Sequence, residues 1–536
     1  MGLLNTSILV PVALVVGYSI YSAICLLRNY LVARAIGVPV RIIIVDHINP
    51  LWILVSQPVV SLLKLLPYGL GDNNITRFNY LGWEYNVRWA AHNEMGDIFM
   101  LCSPSRIWLY LGTPELVTAV LKRPNDFTHD SRLTAPLECF GPNIATATGR
   151  RWQKMRKLIG SCFTDGNHTI VWQETISQAT DMSLYWLSQT SVDTVAHDTR
   201  TLFLNVMSRA GFGKSYPFKG YREPQLMLPG TTLSYKEALQ TILENSIVIM
   251  MLGTRVLSKP WLPAPLRRLH DACAAFQGYL EELYNYEKDS APKRLSDQNL
   301  MTSLVRASQE ETTEGLDEHE IYGNMFLFNV GGHDTTTHTF VWVVYFLAAH
   351  PEVQEWIHEE ILHVLGDRAI SEWSYTTDFP RLKRCLCVLL ETLRHYSPVG
   401  VAKWTDGRTA TLEYGTKKLT IPPKTMILPS HACVQTDPKH WGRDSMEWKP
   451  TPVRGSFISW ADGPRNCPGQ KFSQVEAVAA LAVLCKDLVV NPVTKRGESL
   501  ASSRERVAKF IREDTGMILM VQMLHPEGCP LSWVRR

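Results

Sequence analysis

The stretch Trp460-Ala-Asp-Gly463-Pro-Arg465-Asn-Cys467-Pro-Gly469 narrows what this chain can fold into more than any other. It is a run of turn-forming residues that ends just before Phe472–Leu488, whose apolar residues recur with helical period. A cysteine at such a junction lies in the positive potential of a helix N-terminus, which lowers its pKa and favours the thiolate. A thiolate aimed at a metal needs backbone N–H groups near the sulfur and small residues that let a broad ligand approach the chain. Gly463 and Gly469 meet the second need through their missing Cβ. Arg465 precedes the sulfur by two residues, placed to pair with an anionic group. Cys467 alone would read as well as a buried loop thiol. With Gly463, Arg465 and Gly469 in register it reads as a metal ligand.

The 536 residues are 45% hydrophobic, enough for a large core, and no internal repeat divides them. Their 54 basic and 51 acidic side chains leave a net charge of +3, without the concentrated basic surface that a nucleic-acid partner requires. Eleven cysteines are scattered with no C-x-x-C pair, which excludes a zinc ribbon or a thioredoxin-like motif. Cys385 and Cys387 read as reduced core thiols.

No charged side chain occurs from Met1 to Leu27, and Arg28, Arg34 and Arg41 follow at once. About twenty apolar residues span a bilayer core of roughly 30 Å. Residues 1–27 therefore read as a retained membrane anchor, and the positive-inside rule leaves the bulk of the chain cytosolic. Ile42–Leu66 is a second apolar stretch, broken by Asp46, His47, Pro50 and Pro58, and residues 28–70 read as a linker with a membrane-interfacial segment. Residues 71–536 are expected to form one catalytic body. In this topology the sequons at Asn74 and Asn167 face away from the glycosylation machinery.

That body reads as mainly α, with β-like pieces at Ile98–Leu101 and Ile107–Leu111. Ile321–Ala349 is helix-length and proline-free, Pro351–Leu365 starts on a proline suited to a first turn, and Leu382–Tyr396 continues the pattern. Ile421 to Trp460 reads as turns and loops. In the middle of Ile321–Ala349 lies Gly331-Gly332-His333-Asp334-Thr335-Thr336. Two glycines inside a helix cost up to about 2 kcal/mol against alanine, so their place there predicts close approach of a ligand and a local opening of the backbone ladder. An acid followed by a hydroxyl at that opening can relay a proton. Glu391-Thr-Leu-Arg394 and Trp152-Gln-Lys-Met-Arg156 are helical i,i+3 and i,i+4 pairs whose ordinary reading is structural. The basic run Arg150, Arg151, Lys154 and Lys157 reads as a solvated face or a steering surface for an acidic partner.

In their order along the chain, these motifs resemble those of the cytochrome P450 family, and the wording around Cys467 resembles its fungal microsomal members. The resemblance covers roughly Asn79 to the C-terminus. It implies a triangular α-helical domain with a small β region behind one N-terminal transmembrane helix. It implies haem b (iron protoporphyrin IX) with the Cys467 thiolate as axial ligand. Trp152, Arg156, Arg465 and Lys403 would then serve the haem carboxylates, with Trp460, Gly463 and Gly469 shaping the loop. Thr335 would hydrogen-bond dioxygen, Asp334 would help deliver protons, and Glu391 with Arg394 would form a structural ion pair. The sequence departs from the family at Trp460, where phenylalanine is usual. It departs again at Pro452, where the ion pair's third member, an arginine, is expected; Arg454 is the nearest substitute. The implied reaction inserts one oxygen atom from O2 into a lipophilic small molecule. No G-x-G-x-x-G segment occurs, so electrons come from outside, from NADPH-cytochrome P450 reductase with cytochrome b5 as a second donor. Substrate choice would fall to Thr128–Thr148, the helices between Leu202 and Leu252, Asn329–Val330, Val399–Val401 and Thr515–Met520. The endoplasmic reticulum membrane and fungal secondary metabolism follow by analogy. Two alternatives stay open on the sequence: isomerisation or oxidative coupling at the same site, and a catalytically silent membrane-tethered haem- or lipid-binding protein.

Overall fold

The computed structural model describes residues 2–220, 231–289, 299–309, 315–452 and 456–536. Expected as one body behind an anchor, the chain divides by its contacts into two units. The first comprises Met1–Asp130, Gly400–Met446 and Gly455–Asn466, the second Ser131–Val399, Glu447–Arg454 and Cys467–Arg536.

The first unit opens with the helix Gly2–Arg34, which runs on past the uncharged stretch that ends at Leu27. From Pro11 to Arg34 it is long and apolar enough to cross a membrane, and none of its most apolar eighteen residues is buried in the protein. Its last turns do have a partner. Ala33 belongs to the core beneath the sheet, Leu26 and Tyr30 pack against it, and Asn29 Nδ2 donates to the carbonyls of Ser103 and Pro104 at 3.0 Å each.

That core lies under a five-stranded sheet whose strands, in spatial order, are Val40–Ile42, Ile98–Cys102, Ile107–Leu111, Thr425–Pro429 and Lys403–Trp404. The pairings alternate parallel and antiparallel along that order. Ile98–Cys102 and Ile107–Leu111 are buried at every residue, which is why their sequences read as unbroken apolar runs. The expected loop beyond Ile421 is a strand at Thr425–Pro429, and Lys417–Ile421 pairs with Ala410–Tyr414 in a hairpin. The prolines at 422 and 423 mark only the turn between them.

Ile42–Leu66 is split. Ile42 belongs to the edge strand, and Pro50–Lys64 forms a helix capped by Asn49, whose side chain accepts from the Trp52 amide at 3.1 Å. Fifteen residues are too few to cross a bilayer core. The helix leaves Leu51, Leu54, Val55 and Leu62 exposed while burying Ser56 and Val60.

The second unit is helical, with two small two-stranded sheets, Leu488–Pro492 with Leu531–Arg535 and Thr515–Met517 with Val521–Met523. Pro351–Leu365 is a helix as expected, and the neighbouring expectations settle at Lys383–His395 and Gln470–Asp487. Ile321–Ala349 proves to be two helices, Glu318–Asn329 and Thr335–Ala349, joined through a π-helical turn at Val330–Asp334. Cys385 and Cys387 are buried thiols.

Candidate haem-thiolate site

Cys467 stands alone among the cysteines. It is exposed, whereas eight of the others are buried and two half-buried. The helix Gln470–Asp487 begins three residues later with Gly469 as its N-cap. The mass of protein around the thiol pushes its pKa up, and the Gly469 amide and the Arg156 charge pull it down. A Cβ on Gly469 would meet Cys467 Sγ at 3.8 Å, an ordinary contact, so this glycine serves the sulfur mainly through its amide.

Arg156 and Trp152 are half-buried on the helix Gly149–Gly160. Arg151 fixes that helix by donating from Nε to Glu320 Oε1 at 2.5 Å, and Glu320 itself closes the capping box of the helix Glu318–Asn329. Of the expected basic run, Arg151 is thus an anchor, while Arg150 and Lys157 stay exposed.

The π turn explains the two glycines separately. Gly331 is exposed, with nothing within 4 Å of where a Cβ would stand. Gly332 faces the helix Val195–Phe212, where a Cβ would run into the end of the Met207 side chain. Thr335 Oγ donates to the Gly331 carbonyl at 2.8 Å, so a hydroxyl closes the opening in the ladder. Asp334 is buried and lies against Arg200 Nε at 3.2 Å and His338 Nε2 at 3.5 Å. Burial alone would raise its pKa. The charges of His338 and Arg200 outweigh it and hold the carboxyl well below the usual range. Asp334 is therefore a locked anion, which limits its expected role as a direct proton donor. Asn329 and Val330, expected to touch substrate, are buried, and Asn329 is engaged by the Tyr235 hydroxyl and the Met325 carbonyl. Val399 and Ile518, by contrast, are 45% and 47% exposed.

The expected ion pair is buried and bidentate. Arg394 donates from Nε and Nη2 to the two oxygens of Glu391, each at 2.8 Å. No arginine at 452 is needed to complete it. The Lys449 amide donates to Glu391 Oε1 at 3.0 Å, and His395 Nε2 lies 3.5 Å from the same oxygen. Trp448 locks the segment down by stacking on Phe346 at 4.7 Å and donating to Thr392 Oγ at 3.1 Å. Pro452 is exposed, and Arg454 lies outside the described residues. Burial opposes ionisation of Glu391, but hydrogen bonds from Arg394 and His395 bring its pKa down to about 2.

In the first unit, Lys403 and Arg465 act on one another electrostatically, with a residue the motifs did not reveal, His129. Burial first, and then the Arg465 charge, lowers Lys403 to about 8. Burial, Lys403 and Arg465 lower His129 to about 3. Lys403 is 2% exposed. Mutually repelling cations at a buried position are the chemistry of a pocket for carboxylates, so these residues fit a haem bearing two such groups. Gly463 has φ +74°, and a Cβ there would stand 2.7 Å from the Leu121 carbonyl. Its role is close packing of the loop on the helix Pro114–Leu121 rather than room for a ligand. Trp460 is half-buried and meets Phe457 edge-on at 5.6 Å.

His129, Arg200, His338 and His395 were all missed in the sequence. His338, four residues beyond Asp334, and His395, adjacent to Arg394, carried a helical-spacing signal; Arg200 and His129 are brought in from afar and carried none.

Comparison with known proteins completes the picture. The family model for cytochrome P450 matches residues 82–511. A cytochrome P450 monooxygenase of Arthrobotrys oligospora is 24% identical, with 88% of this chain and 89% of the relative covered. The phomenoic acid biosynthesis cluster cytochrome P450 monooxygenase of Leptosphaeria maculans is 27% identical over 87% of this chain and 89% of its own length. Cyclooctat-9-en-7-ol 5-monooxygenase of Streptomyces melanosporofaciens is 25% identical, covering 75% and 84%. The match runs through the two-glycine helix and the exposed cysteine at a helix start, and the chain therefore belongs to the cytochrome P450 family and is a haem-thiolate monooxygenase.

Proposed function

We propose that Cys467 is the axial ligand of haem b, and that the enzyme inserts one oxygen atom into a lipophilic product of fungal secondary metabolism. The observation that carries this reading is Cys467, the exposed residue among the cysteines, just before a largely buried helix and within reach of the Arg156 charge. A thiolate-ligated haem, when bound, supplies an electron-rich iron that favours O–O cleavage. The Gly469 amide and Arg156 favour the thiolate, and Arg156, Trp152, Arg465 and Lys403 hold the haem carboxylates, with His129 as a neutral neighbour. Trp460 and Gly463 keep the loop in place. Thr335 presents its hydroxyl at the helix opening, with Asp334 beside it as a carboxylate whose contacts to Arg200 and His338 must loosen before it can take up and pass on a proton. Glu391 and Arg394 hold the segment Glu447–Lys449 against their own helix.

In this reading residues 1–27 anchor the chain, 28–70 link it and lie on the membrane, and 71–536 carry the catalysis. The anchor sits in the endoplasmic reticulum membrane with the catalytic part cytosolic, where NADPH-cytochrome P450 reductase, with cytochrome b5 as a second donor, supplies electrons. The exposed apolar side chains of Val399 and Ile518 favour a hydrophobic substrate.

The test is the carbon monoxide difference spectrum of the reduced full-length chain in membranes. A strongly red-shifted Soret band, lost in Cys467→Ser, is expected. A band typical of a neutral thiol or imidazole ligand in the unsubstituted chain would overturn the assignment.

A further inference from the structure

Asn329, which the sequence places against substrate, lies wholly inside the protein. It is the last residue of the helix Glu318–Asn329, and the next residue opens the π turn Val330–Asp334. A π turn interrupts the regular ladder of an α-helix and is rare without some outside reason. Three hydrogen bonds meet on Asn329. Its Nδ2 donates to the Met325 carbonyl, four residues back, at 2.9 Å, which fixes the plane of the amide. Its backbone carbonyl accepts from His333 Nδ1, inside the turn. Its Oδ1 accepts from the hydroxyl of Tyr235.

Tyr235 is the first residue of the helix Tyr235–Glu244, whose start is held by the Ser234–Glu237 capping box. Its ring stacks on Phe276 at 5.4 Å and meets Tyr279 edge-on at 5.6 Å, so packing alone fixes the ring. Burial holds its pKa well above the usual range, and the hydroxyl keeps the proton it donates. Five residues before Asn329, Asn324 is built the same way. Its Nδ2 donates to the Glu320 carbonyl at 2.7 Å, and its Oδ1 accepts from the Ile144 amide at 3.0 Å. There the partner is backbone, part of the loop itself. At Asn329 the partner is one hydroxyl carried on a different helix. A buried acceptor that loses its donor is costly to leave unmade, so this single bond ties the seating of one helix to the mouth of the turn in another.

We propose that Tyr235 and Asn329 form a latch that keeps the π turn in register with the helix Tyr235–Glu244, and that both are positioning residues for the reaction. With the helix seated, the amide of Asn329 is fixed at both ends and its carbonyl is presented to His333. Displacement of the helix takes the donor from Oδ1, frees the amide, and loosens the turn that carries Asp334 and sets Thr335 Oγ on the Gly331 carbonyl. The helix Tyr235–Glu244 is among those between Leu202 and Leu252 to which the sequence assigns substrate choice, so a ligand that shifts it acts on the turn without touching it. The inference rests on the reading of Asp334 and Thr335 as the oxygen-handling site.

Two measurements on the full-length, haem-loaded chain test it, and Tyr279 supplies the control. Tyr279 belongs to the same ring cluster and also donates a buried hydroxyl, but to the Leu233 carbonyl at 3.1 Å rather than to Asn329. The first measurement is amide hydrogen exchange over the turn, read by mass spectrometry. Tyr235→Phe should speed exchange at Val330–Asp334 roughly tenfold, the equivalent of about one net buried hydrogen bond. Tyr279→Phe should change it by less than about twofold, within the scatter of a distant substitution. Asn329→Ala reaches the bond from its other side, and adding Tyr235→Phe to it should bring no further acceleration. Equal acceleration by the two tyrosine variants would reduce Tyr235 to a packing residue and overturn the latch, as would unchanged exchange in Tyr235→Phe or full additivity with Asn329→Ala. The second measurement uses dioxygen as the probe, with NADPH and reductase and no added substrate. Tyr235→Phe should raise the peroxide released relative to water severalfold, and Tyr279→Phe should not. If Thr335→Ala alters that ratio while Tyr235→Phe speeds exchange and leaves the ratio alone, the oxygen-handling site stands and the positioning role fails. If Thr335→Ala is silent, the site reading fails, and the role of the latch in the reaction falls with it.

Discussion

Glu391 and Asp334 are both buried, ion-paired carboxylates on helices of the second unit, and they are held in opposite ways. Glu391 receives a two-pronged fork from Arg394 at 2.8 Å, a backbone amide from Lys449 at 3.0 Å and a histidine at 3.5 Å. Both oxygens thus accept a guanidinium N–H, and Oε1 a backbone amide as well. Asp334 has two single contacts, 3.2 Å to Arg200 and 3.5 Å to His338, both longer and both from side chains that can swing. Fork geometry fixes orientation as well as charge, so Glu391 holds a segment in place. Two long single contacts fix the charge and leave the geometry open, which suits a group that must let go.

The largest expected effect comes from breaking the closed pair. Glu391→Ala leaves Arg394 charged and buried, and removal of one member of a buried pair costs about 3–5 kcal/mol. Urea denaturation followed by tryptophan fluorescence should show that loss, along with a smaller red-shifted carbon monoxide band. A loss under about 1 kcal/mol would mean that the fork contributes no more than a surface pair. The same group sets an acid limit. Its pKa falls from an ordinary 4.5 to about 2 on folding, so its contribution is complete above pH 4.5 and declines as pH drops from there toward 2. In Glu391→Gln that part of the acid dependence should vanish.

Asp334→Asn is the next largest, and its signature should be kinetic. Oxidation of NADPH into water or product should fall by about 10²-fold, the lower end of general acid–base contributions, while the denaturation midpoint moves less than in Glu391→Ala. Equal damage to stability in the two variants would erase the distinction between a structural and a functional carboxylate. Arg200→Leu sharpens it further. With one cation gone Asp334 ionises less readily, so the rate should become more sensitive to pH on the acid side, measured as a shift of that limb.

How much of this could be read in the sequence follows the same division between local and distant partners. Cys467, the two glycines before Asp334, and the Glu391–Arg394 spacing are signals within one loop or one helix turn, and the sequence carried them. The helices Pro351–Leu365 and Lys383–His395 were legible for the same reason. Arg200 reaches Asp334 across 134 positions of chain, and His129 joins Lys403 across 274 (403 − 129), separations at which one sequence carries no pattern. The strand Thr425–Pro429 reads as loop in the sequence because its partner Ile107–Leu111 is equally remote, and the prolines before it dominate the local signal. Gly463 suggests ligand approach in the sequence, whereas its left-handed φ and the Leu121 carbonyl are the reason for it in the structure. A glycine shows that a Cβ is unwelcome, not what it would strike.

The smallest effect is expected where the sequence departs most plainly from its family. Pro452 stands where an arginine would ordinarily complete the Glu391 cluster, and restoring it as Pro452→Arg is the natural repair. The acceptor positions on Glu391 are already taken by Arg394, His395 and the Lys449 amide, and position 452 is exposed. A new guanidinium would have to displace a buried donor to gain a partner, and an exposed pair is worth about 0–1 kcal/mol at most. Stability of Pro452→Arg should therefore change by less than about 0.5 kcal/mol, with the carbon monoxide band unaltered. His395→Phe is the informative companion. It removes the substitute donor while keeping an aromatic ring against Phe346, and in that background Pro452→Arg should become measurably stabilising. If Pro452→Arg instead stabilises the original chain by 2 kcal/mol or so, on the scale of a charged hydrogen bond, then Glu391 was short of a donor and the closed pair is less closed than Asp334 makes it look.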